Sequence, residues 1–540
     1  MGMISVFLLL FGTDTTLSHV TDNTGLPIVI VNMTEKNASN KRIAKNTLFL
    51  YFRMILIMGV TLYTSRVILD KLGVDDYGLY NVVGGVVGML SFLNGTLSIG
   101  TSRFLTYELG TANTSRLKDT FSTAFYVHLL LAVIILLLME TGGLWFLYHK
   151  LIIPADRLFA CVWVFQLSIL TTFVSITQVP YTATIMAHEH MSVYAYISIF
   201  EAIAKLGICY LLFITSLDRL IVYAVLITIV QIFVAMLYRI YCIHHFSESH
   251  LHRVFDKDIF KGMMGFSGWN VMANLSETLK LQGVLILINM FFAPVVAAAQ
   301  AVANQVSNAM MQFVNNFRTA INPQIIKLYA AGDKEASKKL TLQTTVYCFD
   351  LILMLGLPAI VMMDWLMSVW LVEVPDYAVA FTRWIVVCNI VGTFNAAFYI
   401  PMMAANKMRS NSIAAVIFGI GQFVLLYFLL RIGFGPMWVQ YMGLIASVVF
   451  SFFVKPFILY REIGYSLKEL LLCYWNCTKI LLLASIIIIP FLYLMDKGTI
   501  ATIAKGGISF IAAGFASYIF LEKQAKMKLH KFILMKIRNV

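Results

Sequence analysis

The segment "QAVANQVSNAMMQFVNN", Gln300 to Asn316, carries Gln300, Asn304, Asn308, Gln312, Asn315 and Asn316. At 3.6 residues per turn these amides fall within an arc of about 160° on one side of a helix. The other side holds Val302, Ala303, Val306, Ala309, Met310, Phe313, Val314 and Phe317. A carboxamide donates and accepts hydrogen bonds at once, so such a stripe suits a hydroxyl-rich ligand without demanding one sign of charge. Turned toward lipid, its donors and acceptors would go unmatched at high cost. The amides therefore face either neighbouring helices, as interhelical glue, or water. A stripe that runs the full thickness of a membrane fits a hydrated cleft better.

Ionisable residues inside apolar segments are the second chemical feature, because holding them there is costly without a purpose. They are Arg53, the pair Glu201 and Lys205, the pair Glu277 and Lys280, and Asp350. Arg53 also has the option of snorkelling to the interface. Glu277 with Lys280, and Glu201 with Lys205, can neutralise each other one helical turn apart. Asp350 has no local partner and is a candidate for proton or sodium coupling, as is Glu277. Counted this way the six charges balance, three of each sign.

The frame that must position these residues follows from composition. The 540 residues are 60% hydrophobic and 12% charged, with a mean hydropathy of +0.82. Soluble domains carry about a quarter charged residues, so the chain is an all-α polytopic membrane protein. Fourteen apolar spans are read near 46–70, 77–102, 121–147, 159–186, 193–215, 219–243, 263–292, 295–322, 341–366, 378–404, 410–431, 436–458, 478–495 and 499–521. With the N-terminus in the cytoplasm, most of the 40 Lys and Arg lie on the cytoplasmic side, which places both termini there. The net charge of +13 then faces anionic membrane lipids and calls for no nucleic acid.

An internal duplication organises the spans. Shifted by 222, the stretch from Phe92 falls on that from Val314, so Asn94 meets Asn316, Gly110 meets Gly332, Ser115 meets Ser337 and Thr123 meets Thr345. Shifted by 221, Pro180 meets Pro401. The expected plan is a tail at 1–40, a first six-span lobe at 41–244, a linker at 245–262 and a second lobe at 263–460. Two extra spans at 461–521 and a basic tail at 522–540 follow. Translation is expected to start at Met33. Parallel six-span repeats are a transporter design, with substrate held between lobes near the midplane.

Span 2 presents Asn81, Gly84, Gly88, Ser91, Gly95, Ser98 and Ser102 on a narrow stripe. Small residues of this kind let helices pack closely, or thin the wall around a bulky group. No Walker A sequence, zinc-helix motif or acid–base constellation occurs, so the reading includes no enzyme, cofactor or metal site. The linker histidines in "HHFSESHLH" and the seven cysteines are read as a solvated loop and as small buried hydrophobes.

"TSRVILDKLGVDDYGLYNVVGGVVGMLSFLNGTLSIGTSRFLTYELG", Thr64 to Gly110, resembles the polysaccharide (O-antigen type) flippase branch of the multidrug/oligosaccharidyl-lipid/polysaccharide exporter superfamily. The motif is a turn at Leu72–Gly73 and Tyr77 to Asn81, followed by the small-residue span. The resemblance extends over about 41–521. It implies a V-shaped pair of six-helix lobes, with spans 1, 2, 7 and 8 lining the cleft and access alternating between faces. It implies as substrate an oligosaccharide on undecaprenyl diphosphate in a bacterial inner membrane. Arg53 and Lys280 would then attract the diphosphate, and the span-8 amides would pass the sugar hydroxyls. The alternative within the superfamily is a cation-coupled multidrug or metabolite exporter.

Overall fold

The computed structural model describes residues 54–90, 98, 101–102, 104–109, 113–188, 190–405, 407–495, 498–522 and 526–527. Arg53, Ser91, Gly95, Gly110, the proposed start at Met33 and most of both tails lie outside these residues. Among the described residues there is helix and no strand. The helical elements, in chain order, begin with α1 (54–72), α2 (Val74–Gly88), α3 (Thr114–Lys150), α4 (Ala155–Ala187), α5 (Met191–Ile214) and α6 (Arg219–His245). After the linker come α7 (Lys257–Phe291), α8 (Pro294–Ala330), α9 (Lys334–Trp370), α10 (Ala378–Ala404), α11 (Met408–Ile432) and α12 (Trp438–Ile463). The last are α13 (Leu467–Leu494) and α14 (Thr499–Phe520).

Polar caps extend several helices beyond their apolar stretches. Asp256 accepts from the backbone N–H of Asp258 and Ile259 at 2.7 and 3.1 Å, so α7 starts at Lys257 rather than at 263. Ser466 and Glu469 form a capping box, so α13 starts well before its apolar run. Asn113 and Asp333 cap α3 and α9 in the same way. Gly73, at φ 81°, is the whole connection between α1 and α2; only glycine takes that left-handed conformation at no steric cost.

Among the described residues, ten helices are long and apolar enough to cross a membrane: α3 to α6 and α9 to α14. The chain is a multi-pass membrane protein. The remaining four are α1, α2, α7 and α8. Length does not exclude α8, which has 37 residues; its composition does. Lipid-exposed helices must be apolar, so α8 has to be sheltered by protein or water.

The packing provides that shelter. α2 to α6 pack among themselves, as do α7 to α12, while α13 and α14 pack on each other and on α9. Between the two groups, α2 lies along α8 and also touches α7. The crossing is close because α8 offers Ala297, Ala298, Ala301 and Ala303, all buried, and α2 offers Gly78. Large apolar side chains such as Ile203, Phe233, Ile417, Phe428, Ile486 and Phe515 stay exposed on the outer helices, as a lipid-facing surface requires.

Candidate functional site

Two polar cavities flank the α2–α8 crossing. One, of about 290 Å³, lies within α7, α8, α10, α11 and α12 and is lined by Glu277, Lys280, Gln300, Asn304, Asn389 and Gln440. The other, of about 270 Å³, lies within α2, α4 and α6 and is lined by Asn81, Ser168, Thr171 and Thr228. A π-helical turn in α7, Leu279–Gly283, serves both. Such a turn widens the helix locally, and here Lys280 enters the first cavity while Gln282 reaches the second.

The amide stripe of α8 divides by depth. Gln300 is 5% exposed; its Nε2 donates to Asn304 Oδ1 at 2.9 Å, and its Oε1 accepts from Gln440 Nε2 at 2.6 Å. Ser307 and Asn389 are paired at 2.9 Å, and Gln305 donates to the Tyr77 hydroxyl of α2. These groups glue helices together. Farther along, Asn308, Gln312 and Asn315 are exposed, and Asn315 Oδ1 accepts from Arg318 Nη1 at 3.3 Å. Asn316 touches the Met54 sulfur of α1. The stripe thus begins as interhelical glue and ends as an open polar wall.

Contacts between the two helix groups explain that gradient. Near the start of α8, Ile152 N–H donates to Asn289 Oδ1 at 3.1 Å. Arg66 Nη1 donates to the Val369 carbonyl at 3.0 Å, and Trp370 Nε1 to the Leu62 carbonyl at 2.8 Å. Gly78 abuts Pro294. These contacts close the end of the molecule that carries the α1–α2, α3–α4, α7–α8 and α9–α10 connections. Asn308 lies about 21 Å beyond Pro294 along α8 at 1.5 Å per residue, where its side chain is exposed.

Charge around the Glu277–Lys280 cavity differs from the sequence-based balance. Glu277 and Lys280 pair at 2.9 Å with Glu277 exposed. Two cations that the sequence reading passed over join them. Lys455 of α12 is 1% exposed, donates to Asn411 Oδ1 at 2.5 Å, and lies 5.8 and 5.6 Å from the ring centroids of Tyr399 and Phe450. Arg318 of α8 is in electrostatic range of Lys455 and Tyr399, and its Nε is buried without a hydrogen-bond partner. Neither cation has a carboxylate partner among the described residues. Their signal was legible: Arg318 falls on the amide arc of α8, and Lys455 precedes Pro456 at the end of an apolar span.

Other sequence candidates lie elsewhere. Glu201 accepts from Lys205 Nζ at 2.7 Å and from Gln231 Nε2 at 2.9 Å, a self-satisfied cluster on α5 and α6 that lines neither cavity. Asp350 is buried on α9 and points to α13 and α14, away from Glu277. Arg53 lies outside the described residues. The linker packs on α3, where Ser122 and Thr123 accept from the His252 and Asp256 N–H groups at 3.1 Å. No group of three metal-ligating side chains occurs among the described residues.

One ion cluster stands outside the spans. Arg157 bridges Asp76, at the start of α2, and Asp218, the cap of α6. Burial alone would raise the Asp218 carboxyl, but the Arg157 hydrogen bonds and the Ile221 and Leu220 N–H groups hold it below its ordinary value.

The fold is similar to that of the lipid II flippase MurJ in an inward closed conformation. The TM-score is 0.64 at 12% identity, over 87% of this chain and 97% of that one. It is similar also to an inward-facing multidrug resistance MATE family transporter of the MOP superfamily, with a TM-score of 0.57 at 10% identity over 79% and 94% of the chains. A MOP superfamily transporter from Pyrococcus furiosus aligns with a TM-score of 0.54 at 12% identity, over 77% and 95%. No protein-family profile and no curated protein matches the chain. What is shared at these identities is the fold.

Proposed function

We propose that this protein is a flippase that carries an undecaprenyl diphosphate-linked oligosaccharide across a bacterial inner membrane, for surface polysaccharide synthesis. The observation that carries the reading is α8: a helix of 37 residues, too polar for lipid, whose Asn308, Gln312 and Asn315 are exposed and whose Arg318 lies in electrostatic range of the buried Lys455. Amides serve sugar hydroxyls of any pattern, and Arg318, Lys455, Lys280 and, by the same logic, Arg53 serve the diphosphate. No covalent step is required. The gain comes from different occupancy of two states that open to opposite faces.

The wider plan belongs to the same proposal: fourteen spans, two parallel six-helix repeats with two added helices, both termini cytoplasmic, and the present state open inward. Support for the repeat comes from the cavities. Ser168 and Thr171 of the cavity within α2, α4 and α6 are 221 residues before Asn389 and Gly392 of the cavity within α7 to α12, while Gly85, Ala224 and Thr228 are 222 before Ser307, Ala446 and Phe450. These are the offsets that align the sequence with itself.

Depleting the protein in its host and quantifying undecaprenyl diphosphate-linked oligosaccharide by mass spectrometry tests the reading. The expected result is accumulation of the complete lipid-linked unit with loss of surface glycan. Unchanged pools would contradict it and favour a cation-coupled exporter.

A further inference from the structure

A third pocket lies away from the cleft. It has a volume of about 510 Å³, sits between α9, α13 and α14, and reaches from a charged mouth down to Asp350 and Ser517. The mouth is self-paired: Lys338 donates to Glu335 at 2.8 Å, and Gln343 to Glu522 at 2.7 Å. Its floor is not. Asp350 is 4% exposed, and its Oδ1 stands opposite the Ser517 hydroxyl of α14 without either atom completing a hydrogen bond of good geometry.

An ionised carboxylate so placed needs a compensating cation, or it carries a proton. No cation pairs with it among the described residues: Lys479 of α13 lies over the Phe520 ring at 5.3 Å and forms no ion pair with Asp350. Lys338 and Lys339 stand about 17 Å away along α9 at 1.5 Å per residue. On the α8 side, Arg318 reaches Cys348. The titratable groups close to Asp350 are Tyr347 and Cys348 of its own helix and Cys477 of α13, all neutral donors or thiols, with Cys473 and Asn476 also on the pocket wall. α10 turns Phe394 toward the neighbouring Phe349. One carboxylate facing one hydroxyl is too sparse an oxygen set for a dehydrated metal ion.

We propose that Asp350 is a proton-binding site entered from the α9–α13–α14 pocket rather than from the transport cleft. When protonated, the carboxyl O–H donates to Ser517 Oγ and ties α14 to α9. When ionised, the carboxylate can only accept from the Ser517 hydroxyl, and its charge, with no cation beside it, draws water into the pocket. The interface is suited to a single polar latch, because the rest of it is small-residue packing: Gly506 against Met362, Gly514 against Met354, and buried Ala512, Ala513 and Ala516. A second observation agrees. The residue 222 positions earlier is His128 on α3, also buried, with Nε2 lacking a partner. A proton-carrying group thus recurs at the repeat offset. The inference rests on the flippase reading only for the use to which the proton is put.

Infrared difference spectroscopy of the full-length purified protein in lipid, recorded across a pH titration, tests the site without any substrate. The expected spectrum contains a titrating carboxylic C=O band that is lost in Asp350→Asn and moves to higher frequency in Ser517→Ala, where the hydroxyl partner is gone. A band unchanged in both variants overturns the proposal. So does a sodium titration at fixed pH that perturbs the wild type but not Asp350→Asn, since it would assign a metal cation. Ser517→Ala keeps the test decisive if Asp350→Asn fails to fold. Failure of the glycan experiment leaves this result standing, and the reverse also holds.

Discussion

Gly78 of α2 lies so close to Pro294 at the start of α8 that a methyl group added to it would stand 2.2 Å from the Pro294 carbonyl oxygen. Backbone cannot yield as a flexible side chain would, so this contact sets how tightly the closed end can shut.

Gly78→Ala should therefore wedge that end. Overpacking of this kind costs about 1–3 kcal/mol, and it falls on the closed state alone. Spin labels at Leu217→Cys and Val372→Cys, both on exposed loop positions, should report longer distances in Gly78→Ala than in wild type. Unchanged distances would mean that the α2–α8 contact does not govern closure.

The two ends of the amide stripe should respond oppositely to substitution. Gln440→Leu strands the buried Gln300 Oε1, at a cost of about 1–2 kcal/mol, and should lower the melting temperature in detergent. Gln312→Leu removes an exposed amide, so melting should change little while transport falls. Equal effects of the two on melting would argue that the open wall is also structural glue.

Lys455 offers a sharper separation. Its ammonium is buried on Asn411 and in no ion pair with a carboxylate; an apolar side chain of similar volume there removes the cost of burying an ion, which offsets the hydrogen bond lost at Asn411. Lys455→Met should melt at the wild-type temperature or above, and should lose at least about tenfold in transport, the equivalent of about 1.4 kcal/mol of head-group binding. A destabilised variant with normal transport would assign Lys455 to the scaffold.

At the loop face, acid should loosen the Arg157 cluster. The Asp218 carboxyl is held below its ordinary value in the folded state. Its contribution is complete above the unfolded pKa and is lost as pH falls through the folded one. Asp76 runs the other way, because burial raises it, so protonation relieves a cost there and offsets part of the loss. Melting measured from neutral pH to below about pH 4 should fall in wild type and fall less in Asp218→Asn. Arg157→Ala should cost about 2 kcal/mol at neutral pH.

Much of the scaffold was legible because lipid imposes a simple code. The apolar runs located the helices, and the polarity of 300–316 marked α8 as the helix that lipid cannot solvate. Helix starts were less legible, since α7 and α13 begin in polar turns fixed by Asp256 and Ser466. The site was legible only in part. Periodicity could put Gln300 and Gln312 on one face but could not tell which would meet Gln440 and which would meet water, since that depends on where the neighbouring helices diverge. Glu201 with Lys205 is the weaker candidate of the two intramembrane pairs in the sequence, and packing is what sets it apart from Glu277 with Lys280. Arg318 and Lys455 were visible as letters, yet a count of charges by span does not reveal that they share Tyr399.

The central question is whether this protein moves a lipid-linked sugar. The most direct measurement reconstitutes the protein in liposomes that carry a fluorescent undecaprenyl diphosphate oligosaccharide in one leaflet. Appearance of the glycan on the other side is then followed with a membrane-impermeant quencher. Wild type should transfer it rapidly, and Gln312→Leu and Lys455→Met slowly. Transfer no faster than in protein-free liposomes, from well-folded wild type, would contradict the flippase proposal.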